Sequence, residues 1–125
     1  MSFTVDILAL IMEFCPETLK QWIERRNSLR PVKTNKTQVL TYFKMICQGL
    51  LYLHGKELIH RDIKPSNILL TEQNIIRLAD FGLSRPTTDD GYTSNVGSNL
   101  YKPEEQKTKN YDKTVDIFSS GIFIA

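Results

Sequence analysis

Between Thr37 and His54 apolar side chains recur at helical spacing, with Val39, Leu40, Phe43, Ile46, Cys47, Leu50, Leu51 and Leu53 mostly on one stripe. A stripe that wide must be buried, so this stretch is expected to be the central core helix, closed by Gly55 at its C-terminal cap. The residues after Gly55 cannot continue it. Leu58-Ile59, Ile68-Leu69-Leu70 and Ile75-Ile76-Arg77-Leu78 are short strand-like runs, separated by a polar loop and by a Glu72-Gln73-Asn74 turn. One long helix against several very short strands predicts an α+β fold with few places for the loops between them to go.

Upstream, Val5 to Phe14 is apolar except for Asp6 and Glu13. It is too short to cross a membrane and lacks the basic flank of a signal peptide, so it reads as a buried strand. Leu19, Trp22 and Ile23 recur at helical spacing behind Pro16, predicting a short amphipathic helix from Glu17 to about Arg26. The polar, basic stretch from Asn27 to Lys36, with Pro31, is a loop. Cys15 and Cys47 are too few for a disulfide framework or a zinc site and are expected to be free thiols in a reducing compartment. With 41% hydrophobic residues, 24% charged and a net charge of +2, the 125 residues describe one globular domain. That balance gives no ground for nucleic-acid binding through charge.

The polar loop carries the chemistry. His60-Arg61-Asp62-Ile63-Lys64-Pro65-Ser66-Asn67 is followed by Asp80-Phe81-Gly82, which sets two carboxylates, an amide and a lysine within a short span. Phosphoryl transfer needs a hydroxyl aligned and the charge on the transferred oxygens neutralised. Asp62 can accept the proton of a substrate hydroxyl, and Lys64 supplies a point positive charge near the γ-phosphate. Asn67 and Asp80 offer the oxygen ligands that Mg²⁺ prefers. Gly82 is expected to free the backbone for a sharp turn after Asp80, and Phe81 to be the apolar anchor that sets where the carboxylate points. Each residue alone has an ordinary reading, a core histidine, a turn or cap aspartate, a loop glycine. Their order and spacing together do not.

On these motifs the chain resembles the protein kinases, and Lys64 resembles the serine/threonine type. The resemblance implies a kinase-like fold seen as a mainly helical C-lobe, with short strands around the catalytic loop and the N-lobe absent. It divides residues 1–125 into a hinge strand and hinge at 5–16, C-lobe helices at 17–55, a catalytic loop at 60–67, an activation segment at 80–104 and the start of a buried helix at 115–125. Met12-Glu13-Phe14-Cys15 resembles the hinge, with Met12 as gatekeeper and the Cys15 backbone able to meet adenine. Met12, Glu13, Cys15, Leu69 and Lys64 are the implied ATP contacts, and His60 is a structural residue of the catalytic loop.

Tyr101-Lys102-Pro103-Glu104 resembles the end of an activation segment, although Lys102 stands where a small residue is usual and the stretch from Gly97 is one residue short. Arg61 is implied to receive a phosphate on that segment, with Thr93 the preferred acceptor and Ser94 and Thr88 as alternatives. Ser98 is implied to pack beside the catalytic aspartate, Glu104 to pair with an arginine near the end of the domain, and Asp116 to hold the backbone around Arg61.

Within the kinases, the run Ile11 to Cys15 with Thr18-Leu19 and Trp22-Ile23-Glu24, then Leu58 to Ile68 and Val115 to Ser119, looks most like the kinases of the translation initiation factor 2 alpha subunit. The double-stranded-RNA-activated subgroup is the best match. The cofactors implied are ATP and Mg²⁺. The implied partner is a protein substrate, with that alpha subunit as candidate, no direct nucleic-acid contact, no membrane and a cytoplasmic location. Residues 1–125 contain no Gly-rich phosphate loop, no strand lysine for the α- and β-phosphates and no helical glutamate to pair with it. By itself the chain is therefore expected to be inactive. It is either a piece of a genuine serine/threonine kinase or a natural partial kinase acting as a decoy or inhibitor; intact Asp62, Asn67 and Asp80 favour the first.

Overall fold

The computed structural model describes residues 9–29, 35–86, 99–101 and 112–122. In chain order they form β1 (Glu17–Thr18), α1 (Leu19–Ser28), α2 (Lys36–Gly55), β2 (Leu58–Ile59), β3 (Ile68–Leu70), β4 (Ile76–Leu78), β5 (Arg85–Pro86) and α3 (Thr114–Ile122). Short 3₁₀ turns at Pro65–Asn67, Phe81–Leu83 and Asn99–Tyr101 complete the set. The expected α+β class is what forms.

α1 begins where its chemistry allows. The Thr18 hydroxyl accepts the Gln21 N–H at 3.2 Å while the Gln21 amide oxygen accepts the Thr18 N–H at 2.8 Å, a reciprocal capping box. Pro16 is not the start signal, because the cap lies two residues later. Trp22 and Leu19 form the buried face; the Trp22 ring meets Tyr42 of α2 edge-on at 5.1 Å, and Arg26 lies over the Trp22 ring at 4.5 Å.

α2 is the long helix the periodicity requires, capped by the Asn35 side chain on the Gln38 N–H. Its buried residues are Tyr42, Ile46, Leu50 and Leu53. The buried face is therefore narrower than the apolar stripe: Cys47 is exposed, Leu40 is 64% exposed and Leu51 is 74% exposed. Tyr42 replaces them in the core because its polar tip finds partners. Its hydroxyl donates to Asn74 Oδ1 at 3.1 Å and accepts from Gln38 Nε2, and burial pushes the phenol up from its ordinary value. Gly55 is the last helical residue rather than the cap; the left-handed turn that leaves the helix falls on Glu57, with φ 57°.

β1, β3 and β4 form an antiparallel sheet in the order β1-β3-β4, with Thr18 opposite Leu69 and Leu69 opposite Arg77. Ile68 and Leu70 face the core, which also holds Leu19, Trp22, Tyr42, Ile46, Leu50, Ile63 and Ile76. Gly49 of α2 permits this packing, since a Cβ there would lie 3.0 Å from Leu78 Cδ1. β2 pairs with β5 in a second, two-stranded ladder, and Ile59 packs with Val115 of α3.

The strand expected over residues 5–14 does not form in its described part. Residues 9–14 are not in a strand, and Leu10, Ile11, Met12 and Phe14 are exposed. A strand needs a neighbour to satisfy its backbone, and among the described residues none pairs with this segment. Glu13 is anchored instead by its side chain, through its carboxylate to Arg77 Nε at 2.7 Å.

α3 starts at a carboxylate cap. Asp112 Oδ1 accepts the Thr114 N–H at 2.8 Å, and the Thr114 hydroxyl and N–H together hold the Asp112 carboxyl below the usual carboxylate range. A depressed folded-state value means the stabilisation is present above the ordinary carboxylate range and is lost as pH falls through the depressed one. Asp112→Ala is expected to cost about 0.5–1 kcal/mol at neutral pH and less in acid; urea midpoints at both pH values measure it. A cost independent of pH would show that the cap does not depend on charge.

Candidate active site

Four polar residues of the catalytic loop are buried, while Lys64 is half-buried and Ser66 exposed. His60, Arg61, Asp62 and Asn67 are each under a tenth exposed. Buried polar groups require partners, and the loop is a set of solutions to that demand. Asp116, 1% exposed in the first turn of α3, accepts the His60 N–H on Oδ2 at 2.9 Å and the Arg61 N–H on Oδ1 at 2.8 Å. This is the role implied for Asp116. The carboxylate also sits at a helix N-terminus, where the backbone dipoles favour negative charge. Held from behind in this way, Arg61 adopts φ 71°, a left-handed conformation uncommon for any residue that carries a Cβ.

The turn aims the chemistry. Asp62 Oδ2 lies 3.0 Å from Lys64 Nζ and accepts from Asn67 Nδ2 at 2.8 Å, while the same Nδ2 donates to the Asp62 carbonyl at 2.9 Å. The Pro65–Asn67 turn brings the amide back to Asp62, and Asn67 leads directly into β3. His60 braces the other side: Nε2 donates to the Ala79 carbonyl at 2.9 Å, and Nδ1 accepts the Asp62 N–H at 3.3 Å. The two bonds fit one tautomer, with the proton on Nε2. The Ala79 N–H returns to the Asn67 carbonyl at 2.9 Å, so the residue before Asp80 is tied to both ends of the loop.

Asp80 is exposed and itself takes the left-handed conformation, with φ 61°. The sharp turn therefore falls on Asp80 and not, as the glycine suggests, on Gly82. A Cβ at Gly82 would stand 3.3 Å from Asp80 Oδ1, a tight contact with the end of an exposed side chain. Phe81 is only partly the expected anchor: its ring lies 5.2 Å from the His60 ring, but the residue is 48% exposed. It borders an open cavity of about 440 Å³ between α2 and β4, lined also by Met45, Gly49 and Leu78.

The implied ATP contacts are not all gathered. Lys64 is in the site. Leu69 is half-buried on the sheet face opposite Ile68 and Leu70, beside Arg77, and the Arg77–Glu13 pair brings the hinge-like segment to that edge. Met12 is 74% exposed and Cys15 half-buried. Thr88, Thr93, Ser94, Ser98 and Glu104 lie outside the described residues, as does the segment that would give Arg61 a phosphate.

The donor set fits a hard divalent cation bound together with phosphates. Both bonds that orient Asn67 use its amide nitrogen, which leaves the amide oxygen as the acceptor it offers, and the Asp80 carboxylate is open to solvent. No group of three histidine, cysteine or acidic residues that could cage a metal occurs among the described residues. Mg²⁺ takes one or two protein ligands and completes its shell with phosphate and water.

A profile of the family described as "Protein kinase domain" matches residues 3–125. The chain belongs to the protein kinase family. Among relatives, this kinase segment is 42% identical over 123 residues to the interferon-induced, double-stranded RNA-activated protein kinase of Rattus norvegicus. That match covers 94% of the segment and 23% of the relative. It is 35% identical over 133 residues to eukaryotic translation initiation factor 2-alpha kinase 3 of the same species, covering 94% of the segment and 12% of that protein. The yeast RNA Pol II CTD kinase CTDK-1 complex contains a chain that superposes with a TM-score of 0.80 at 31% identity, covering 90% of the segment and 36% of that chain. The kinase segment thus spans about a quarter or less of the two rat relatives. The family and the partial kinase fold expected from the motifs are both borne out.

Three features of the site were missed in the sequence. His54 lies 2.8 Å from Asp116 through Nε2, a contact between positions whose separation carries no local pattern. Lys113 Nζ donates to the His54 carbonyl at 2.9 Å and to Glu57, and this contact too leaves no mark in the local sequence. The Thr18–Gln21 capping box had a signal, the Thr-x-x-Gln spacing before an apolar run, and could have been found.

Proposed function

We propose that this segment is the catalytic part of a serine/threonine protein kinase acting on a protein hydroxyl, with the alpha subunit of translation initiation factor 2 as the substrate. The observation that carries this reading is the arrangement of Asp62, buried and held by both Lys64 and Asn67. Asp62 receives the proton of the attacking hydroxyl as its oxygen bonds to the γ-phosphorus and the bond to the bridging oxygen breaks. Lys64, already on Asp62, is placed to meet the negative charge of the transferred group. Asn67 and Asp80 would hold Mg²⁺, which supplies neutralisation of charge on the phosphate oxygens. The likeness to two eukaryotic initiation factor kinases supports the choice of substrate.

Residues 1–125 by themselves lack the upper phosphate contacts, and positioning is most of this catalysis, so alone they are expected to transfer phosphate at least ~100-fold more slowly than a complete domain. A chimera decides the function. The segment is placed in the kinase domain of the rat double-stranded RNA-activated relative in exchange for its matching stretch, and incorporation of labelled phosphate into the alpha subunit is measured. Activity within about tenfold of the parent domain is expected, since the motif residues are intact. A folded chimera that binds Mg²⁺–ATP but does not label the protein would overturn the reading.

A further inference from the structure

Leu10, Ile11, Met12 and Phe14 are exposed, so apolar burial does not hold the hinge-like segment in place. Among the described residues no strand pairs with it either. What reaches it is Arg77, the middle residue of β4. Its guanidinium meets the Glu13 carboxylate as a fork, Nε on Oε2 at 2.7 Å and Nη2 on Oε1 at 3.3 Å, between positions 64 residues apart. Nη1 donates to the Ile76 carbonyl at 3.3 Å, which sets the edge that the guanidinium turns to Glu13. Arg77 stands directly opposite Leu69 in the ladder, so the two share the sheet face that Ile68 and Leu70 do not occupy.

We infer that Arg77 is a positioning residue for the nucleotide: through Glu13 it holds Met12 to Cys15 at the edge of the sheet face that carries Leu69. This role rests on the kinase reading above, in which Met12, Glu13, Cys15 and Leu69 are the nucleotide contacts. The size of the effect follows from exposure. The Arg77 and Glu13 side chains are 44% and 52% exposed, and an exposed ion pair shifts a population by about fivefold at most. Such a shift decides the placement of a segment that neither burial nor strand pairing holds among the described residues, and it is too small to unfold the chain. Lysine cannot replace the arginine in full, because one ammonium does not make two parallel bonds. Salt screens an exposed pair, so the anchor weakens as ionic strength rises.

The two cysteines report on the anchor directly. Cys15 is half-buried just after Glu13, whereas Cys47 is exposed on α2 and serves as the internal reference. In the full 125-residue chain, Arg77→Ala is expected to speed labelling of Cys15 by a neutral maleimide about two- to fivefold, with Cys47 unchanged. Arg77→Lys should fall between the parent and the alanine variant, and raised salt should speed Cys15 in the parent alone. Exchanging the charges, Glu13→Arg with Arg77→Glu, is expected to return labelling to within about 1.5-fold of the parent. In the chimera described above, Arg77→Ala should raise the dissociation constant for Mg²⁺–ATP about two- to fivefold by calorimetry, and the charge exchange should recover it. Binding is read without turnover, so a chimera that never labels the alpha subunit fails the substrate reading and not this one. Cys15 labelling within about 1.5-fold of the parent in Arg77→Ala, an equal rise at Cys47, no recovery on charge exchange, or an unchanged dissociation constant overturns the role of Arg77.

Discussion

Replacing Asp116 with alanine is expected to destabilise the chain by about 3–5 kcal/mol, the largest loss available from one polar side chain here. The substitution removes a carboxylate that is 1% exposed and leaves the His60 and Arg61 N–H groups buried without their acceptor. It also strands the His54 donor. Asparagine is not a conservative replacement at this position. All three groups facing the carboxylate donate, so an amide can satisfy them with its oxygen on one side only and must oppose an N–H with its own NH₂ on the other. Asp116→Asn is therefore expected to recover less than half of the loss, about 1–2 kcal/mol. Urea unfolding of the parent and both variants measures the series. An alanine variant with an unchanged midpoint would mean that Asp116 does not organise the loop.

Asp62→Asn is expected to lower phosphoryl transfer by about 10²–10⁴-fold in the complete domain while leaving ATP affinity within a few-fold. The amide preserves size and can still meet Asn67, but it cannot take the hydroxyl proton, and it presents no charge to Lys64 at the 3.0 Å contact. A loss confined to kcat identifies an interaction made in the transition state, whereas a loss confined to KM would place Asp62 in substrate binding. Equal rates for Asp62→Asn and the parent would remove Asp62 from the proton transfer.

Elements whose physics is carried by a local pattern were legible in the sequence. The helical period from Thr37 to His54 predicts α2 to within about a residue at each end, since a broad apolar stripe has no other way to be buried. The same period does not say which side faces in, because Tyr42 could enter the core only if Asn74 and Gln38 were there to receive its hydroxyl. Propensity assigns the turn after Ala79 to Gly82, since glycine is favoured wherever φ is positive. The left-handed residues at Arg61 and Asp80 override propensity and sit where the loop is aimed. In the expected strand before the hinge-like segment, residues 9–14 find no pairing neighbour among the described residues, since pairing is not a property of one segment.

The sequence by itself carried the proposal of phosphoryl transfer: the residue types at positions 60–67 and 80–82 each answer a distinct demand of charge, proton or metal in that chemistry. It also determined the family, through the same spacing. Only the tertiary structure decided how those residues are held. Asp116 and His54 reach the loop from α3 and α2, and the hydrogen bonds they make satisfy buried groups that no neighbour in sequence could reach. Side-chain chemistry is written residue by residue, but the partner of a buried polar group is chosen by the fold.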